Sequence, residues 1–293
     1  MNLIFTVLDI VAPVFLLAAI GFIWVKVGAE YRIRFVTQLS MTLGVPCLIF
    51  TALMKSEIEP TALTNLLLAT LAAYGAVVVA MVLLVRLLKL DMQTFTAPLI
   101  FGNTGNLGLP LALFAFGDIG LSYAVVVFAV MAILSFTLGI WLVVGGGSPL
   151  RVLKEPIVGA TLLGALFLWQ GWETPQFLTN TLELIGQIAI PLMLITLGVA
   201  VARLNVSGMG RTAALALVKL VICAGLAWMI GLQFSLDDVA FAVLVLQLAT
   251  PVAVTSYLLA EKYGADADSV AGLVVASTLL SVLALPLLLA VLI

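Results

Sequence analysis

The chain has 293 residues, of which 64% are hydrophobic and 9% charged, against roughly 25% charged in an ordinary soluble domain. With a mean hydropathy of +1.32, its long apolar runs must face a solvent other than water, and lipid is that solvent. A formal charge of −2 without any run of basic residues excludes the electrostatic footprint of a nucleic-acid binder.

The amino terminus, MNLIFTVLDIVAPVFLLAAIGF, lacks a basic n-region and a clear cleavage site, so it reads as a first span and not as a removed signal peptide. Apolar runs of about 20 residues, the length that crosses the hydrocarbon layer, divide the chain into ten. They are 4–25, 34–54, 62–88, 93–117, 120–144, 156–172, 177–202, 210–232, 239–260 and 268–292, with the fourth and fifth split near Asp118. The expected fold is an all-α integral membrane protein of ten transmembrane helices. The segment GGGSPLRVLKEP (145–156) reads as a flexible connector and not a phosphate-binding loop. It leaves 1–144 as a first five-helix repeat, 145–155 as a cytoplasmic linker and 156–293 as a second repeat.

Lysine and arginine distribute unevenly over alternate loops. One side holds Lys26, Arg32, Arg34, Arg86, Lys89, Arg151, Lys154, Arg203, Arg211 and Lys262, the other only Lys55, and Lys219 falls within a span. Cytoplasmic loops carry the positive excess, so the first group is cytoplasmic. An even number of spans then puts both termini on the outer side, the periplasmic face if the membrane is a bacterial inner membrane.

Two halves show an internal likeness. PVFLLAAIGFIW from Pro13 aligns with PIVGATLLGALF from Pro156, placing Gly21 on Gly164 at an offset of 143. VPCLIFTAL aligns with IPLMLITLG, pairing Pro46 with Pro191 and Thr51 with Thr196 at 145, and Pro110 pairs with Pro251 at 141. Five spans per half is odd, so the second copy enters from the opposite side, the inverted arrangement of many secondary transporters.

The chemistry-bearing segments lie within the fourth and ninth spans. FGNTGNLGLPLALFAFG (101–117) packs four glycines, two asparagines and Pro110 into seventeen residues, and QLATPVAVTSYLLA (247–260) carries Gln247 four residues before Pro251 as Asn106 stands four before Pro110. Broken helix at membrane depth is tolerated only against protein or beside a polar cavity, and paired interrupted helices point to a transporter site. If the two breaks cross, their second half-helices aim positive dipole ends at one point and favour an anion such as a carboxylate. Asn103, Thr104 and Asn106 offer donors and acceptors there, and so do Thr250, Thr255 and Ser256; for Thr51 and Thr196 a flanking role and a packing role stand side by side. Lys219 either snorkels to the cytoplasmic face or compensates charge. Asp9, Asp118 and Glu183 read first as solvated caps; with no histidine in the chain, proton coupling would fall to one of these carboxylates. Sodium coupling would use backbone carbonyls at the breaks. Cys47 and Cys223 read as buried hydrophobes. No nucleophile, metal cluster or nucleotide loop emerges, so neither an enzyme nor a cofactor is expected.

NTGNLGLPL, PCLIF and TPVAVTSYLLAEKYGADAD followed by an apolar last span resemble the auxin efflux carrier family of bacteria and plants. The resemblance covers essentially the whole chain. It implies ten helices in two inverted repeats, with the fourth and ninth broken and crossing at Pro110 and Pro251, and with Asn103, Asn106 and Gln247 at the crossing. It also implies export of auxin or movement of small carboxylates; the large cytoplasmic insert of the long-loop plant carriers is missing, which puts auxin itself in question. The expected function is therefore secondary active transport of a small organic anion, an ion channel or membrane receptor being the alternative. Substrate anion and lipid are the expected partners, nucleic acid is not, and a homodimer stays open.

Overall fold

The computed structural model describes residues 3–144, 156–204 and 209–293; the predicted connector at 145–155 lies outside them. The described residues are helical throughout, apart from turns and one isolated antiparallel bridge between Gly102 and Val252. In chain order the helices are α1 (Leu3–Lys26), α2 (Ile33–Leu39), α3 (Val45–Met54), α4 (Pro60–Leu87), α5 (Met92–Ile100), α6 (Leu109–Leu134) and α7 (Ile140–Val144). After the connector come α8 (Pro156–Gln170), α9 (Gln176–Gln187), α10 (Ala189–Arg203), α11 (Met209–Gly231), α12 (Asp238–Leu248), α13 (Val254–Tyr263) and α14 (Ala267–Leu292).

Seven stretches among the described residues are long and apolar enough to cross a membrane: Phe5–Lys26, Ile33–Met54, Thr61–Leu87, Thr104–Leu142, Gln176–Arg203, Gly210–Gly231 and Ala267–Leu292. Pro156–Gln170 and Asp238–Leu248 are apolar but shorter. The 39 residues of Thr104–Leu142 would run about 58 Å if straight, nearly twice the hydrocarbon thickness. They are not straight. Gly117 has φ 65° and ψ −154°, a region essentially confined to glycine. A Cβ at Gly120 would collide with the carbonyl of Ala112, an atom that eight residues of straight helix would hold about 12 Å away. The chain thus bends back at the point where the sequence separates its fourth and fifth spans.

Several other irregularities fall beside prolines, while a further five-residue turn at Ser135–Gly139 has none near it. Proline has no N–H and its ring crowds the carbonyl four residues back, so an α-helix cannot run through it undisturbed. Wider five-residue turns at Ser40–Gly44 and Thr104–Gly108 precede Pro46 and Pro110, an interruption at Ile188 precedes Pro191, and Pro251 lies in the gap between α12 and α13. Such π-turns give the proline ring the space a tight turn denies it.

Two helix pairs pack through glycine. Along α1 and α10, a Cβ at Gly21 would overlap the Ile195 carbonyl and one at Gly198 the Ala18 carbonyl. Along α8 and α3, a Cβ at Gly164 would lie 3.0 Å from Leu53 Cβ and 3.4 Å from Phe50 Cα. Small residues let backbones approach and gain dispersion contacts where lipid supplies no hydrophobic drive. α1, α3, α8, α9 and α10 form one packed group. In the other, α11 lies against α4, α12 and α14, while α6 lies against α4 and α12.

Candidate functional site

The gap between α5 and the Thr104–Gly108 turn meets the gap between α12 and α13. The amide of Asn103 donates to the carbonyl of Pro251 at 2.7 Å, and the amide of Ala253 donates to the carbonyl of Phe101 at 3.4 Å. These two bonds flank the Gly102–Val252 bridge. Gly102 is required by the closeness: a Cβ there would overlap the Thr250 hydroxyl. Each gap frees backbone groups that lipid cannot solvate, and pairing the two gaps satisfies several of them at once.

Polar side chains collect where these two gaps meet. Asn103, Thr104, Gln247 and Thr250 are all buried. The Thr250 hydroxyl donates to the Gln247 carbonyl at 2.6 Å, and the Val252 amide donates to Ser277 Oγ at 3.0 Å. Asn103 Nδ2, Thr104 Oγ1 and both amide atoms of Gln247 are buried with no hydrogen-bond partner in the protein. The Gln247 amide rests against Gly108, where a Cβ would collide with it. Buried polar atoms are nearly always bonded, so several bare ones around one point mark a place built for something polar.

The helix ends add to this. The Thr104 turn and α13 both begin at this meeting point, and neither Asn103 nor Ala253 caps its helix with a side chain. Each such end carries roughly half a positive charge together with free N–H groups. Conversely α12 ends there, and the Lys219 ammonium donates to the Thr250 carbonyl at 2.8 Å. Lys219 is 1% exposed, so it does not snorkel; its amino group stays inside, against the negative end of α12. One turn on, Cys223 Sγ lies 3.9 Å from the Leu99 carbonyl near the end of α5. α11 therefore serves the carbonyl ends of both first half-helices, a role its sequence shows only as an unexplained lysine.

The break within residues 93–117 is centred on Gly102, not on Pro110 as the sequence suggests. Pro110 is buried at the start of α6, where the preceding π-turn accommodates it. Asn106 and Gln247, matched by their proline spacing, are not equivalent either: Asn106 follows its break in a half-buried position, and Gln247 precedes its own and is fully buried. Thr255 is exposed, and Ser256 is buried, lining a small cleft with Thr94, Pro98, Phe101 and Ser135. Asp9 is exposed on α1, and Glu183 pairs with Lys55. Gly102, Gly108, Ser277 and Cys223 take part without having been singled out. Only the glycines carried a signal, being unusually dense for a span.

A larger cavity of about 610 Å³ opens between the two helix groups, lined among others by Thr51, Lys55, Asp118, Ser122, Glu183 and Gln187. At its edge Ser122 Oγ donates to the Ala52 carbonyl at 3.0 Å, tying one group to the other. Among the described residues no group of three His, Cys, Asp or Glu could hold a metal. The place where the two gaps meet offers donors, helix dipoles and a buried lysine, which suits the binding of a polar group.

Comparison with known proteins agrees with this. A protein of Methanothermobacter thermautotrophicus described as an uncharacterized transporter is 26% identical over 305 residues, covering 95% of this chain and 96% of its own. The model of the membrane transport protein family, that of the auxin efflux carriers, matches residues 6–149 and 140–289, and the chain belongs to that family.

Proposed function

We propose that this membrane transporter is a secondary carrier for a small organic anion, a mono- or dicarboxylate or an auxin-like acid, working by alternating access in the direction of efflux. The observation that carries the reading is the crossing itself: two uncapped helix starts and the bare amides of Asn103 and Gln247 around one buried point. Carboxylate oxygens accept from N–H groups, and two positive helix ends favour the charge without a free lysine in the path.

The chain crosses the bilayer ten times in this reading, with the fourth and ninth crossings interrupted and both termini outside. The halves are inverted copies. In support, Gly21 packs on Ile195 while Gly164 packs on Phe50, and the offsets of 143 and 145 seen in the sequence relate each of these residues to its counterpart. The group containing α1, α3, α8, α9 and α10 stays fixed while the crossing bundle moves against it, and the 610 Å³ cavity between them is one access route.

Purified protein in liposomes, offered labelled mono- and dicarboxylates across the membrane, tests this. Saturable uptake that competing carboxylates inhibit is the expected result. Absence of saturable uptake under any ion gradient, or currents far above carrier turnover, overturns it.

A further inference from the structure

We infer that the Lys219 ammonium is a built-in counter-cation, held at the carbonyl end of the interrupted ninth span in the position a coupling sodium ion would otherwise take, so that this carrier needs no sodium. The inference rests on the carrier reading above and says what drives it.

A lysine within a span is costly to insert into lipid, so its place calls for a compensating role. No carboxylate among the described residues forms an ion pair with it. Its bond goes instead to a main-chain oxygen, Thr250 O, in the turn that follows α12. Main-chain oxygens at broken helices are what a transporter offers to sodium. Beside the lysine is a cavity of about 10 Å³ lined also by Thr250, Pro251, Ser277 and Ser281, about the room of one water or small cation. The oxygens around Lys219 thus resemble a cation site, and the side chain delivers the charge on a tether. The other break has no such charge. At the offset of 145 that relates Pro46 to Pro191, the counterpart of Lys219 is Tyr74, buried and stacked on Phe101 with ring centroids 6.4 Å apart. One fixed cation therefore stands behind a site with two positive helix ends, which favours an anion without a second ion having to arrive.

Thermal melting of the purified protein in sodium chloride against choline chloride at equal ionic strength tests this, for the wild type and for Lys219→Ser. The wild type should melt at the same temperature in both salts. Lys219→Ser, which removes the tethered charge and leaves the oxygens, should melt several degrees higher in sodium, saturably. Sodium stabilisation of the wild type, or indifference of the folded variant, overturns the inference. If Lys219→Ser does not fold, carboxylate uptake by the wild type decides: equal initial rates with and without sodium support the inference, and a tenfold fall without sodium overturns it. Should the wild type move no carboxylate, the carrier reading falls, while the melting comparison still judges the lysine.

Discussion

The amide of Asn103 is bonded to the carbonyl of Pro251 at 2.7 Å, so the two interrupted helices are joined main chain to main chain. The Asn103 side chain is not needed for that joint, and its Nδ2 has no partner. Asn103→Ala should therefore keep the fold and weaken substrate binding. A hydrogen bond to a charged group contributes about 1.5–3 kcal/mol, so the dissociation constant should rise roughly 10- to 100-fold. Calorimetry on the folded variant checks this, and an unchanged constant removes Asn103 from the site.

Gln247 separates function from stability more sharply. It is fully buried with both amide atoms bare, and leaving each such atom without a partner costs about 1–3 kcal/mol. Gln247→Met, similar in volume and without an amide, should melt higher than the wild type and transport poorly. Lower melting with normal transport would show the amide to be structural.

The glycine seams give a stability prediction with no direct effect on the site. Gly21→Ala must push α1 away from Ile195, and Gly198→Ala must push α10 away from Ala18, both against main chain that cannot rotate aside. Overpacking of this kind costs about 1–3 kcal/mol, and a lower melting temperature for each should show it. Gly225→Ala, where a Cβ meets nothing within 4 Å, is the control and should melt normally.

Asp266 caps α14 by accepting from the Ser269 amide at 3.0 Å and from its hydroxyl at 2.6 Å. The Ser269 bonds hold its carboxyl below the ordinary carboxylate value. A lowered folded value means the stabilisation is present above about pH 4 and is lost as pH falls through that lowered value. Because the group is exposed, the contribution is small, about 0.5 kcal/mol at neutral pH. Asp266→Ala should melt slightly below the wild type at pH 7, and the two should converge in acid.

The 610 Å³ cavity supplies a test of sidedness. Ser56 lines it, and Ser56→Cys in a Cys47→Ser background should react with an impermeant maleimide added outside intact cells. Substrate should slow the reaction. Labelling only from the cytoplasmic side would reverse the proposed orientation.

The sequence reveals this site only where local chemistry carries the signal. Glycine and asparagine density in 101–117 and Pro251 in 247–260 announce two breaks, because these residues oppose helix wherever they stand. The position of the first break is illegible for a related reason: Pro110 is the strongest helix breaker in the segment, yet a π-turn absorbs it and the chain opens at Gly102, seven residues before that turn gives way to Leu109. Lys219 is conspicuous as a charge in a span, but its partner is a main-chain oxygen thirty-one positions away, and a carbonyl is common to every residue. Cys223 meets Leu99 across a still longer separation and reads as an ordinary apolar position.

The glycine seams also bear on how the molecule is made. Gly21 finds its mate on α10 and α3 finds its mate on α8, so each early helix is completed by one synthesised much later. When the ribosome has finished the first 144 residues, these grooves still lack their complements. Newly inserted helices must wait side by side in the bilayer, and only the arrival of the second half can lock them, so a truncated message should yield a product that quality-control proteases clear.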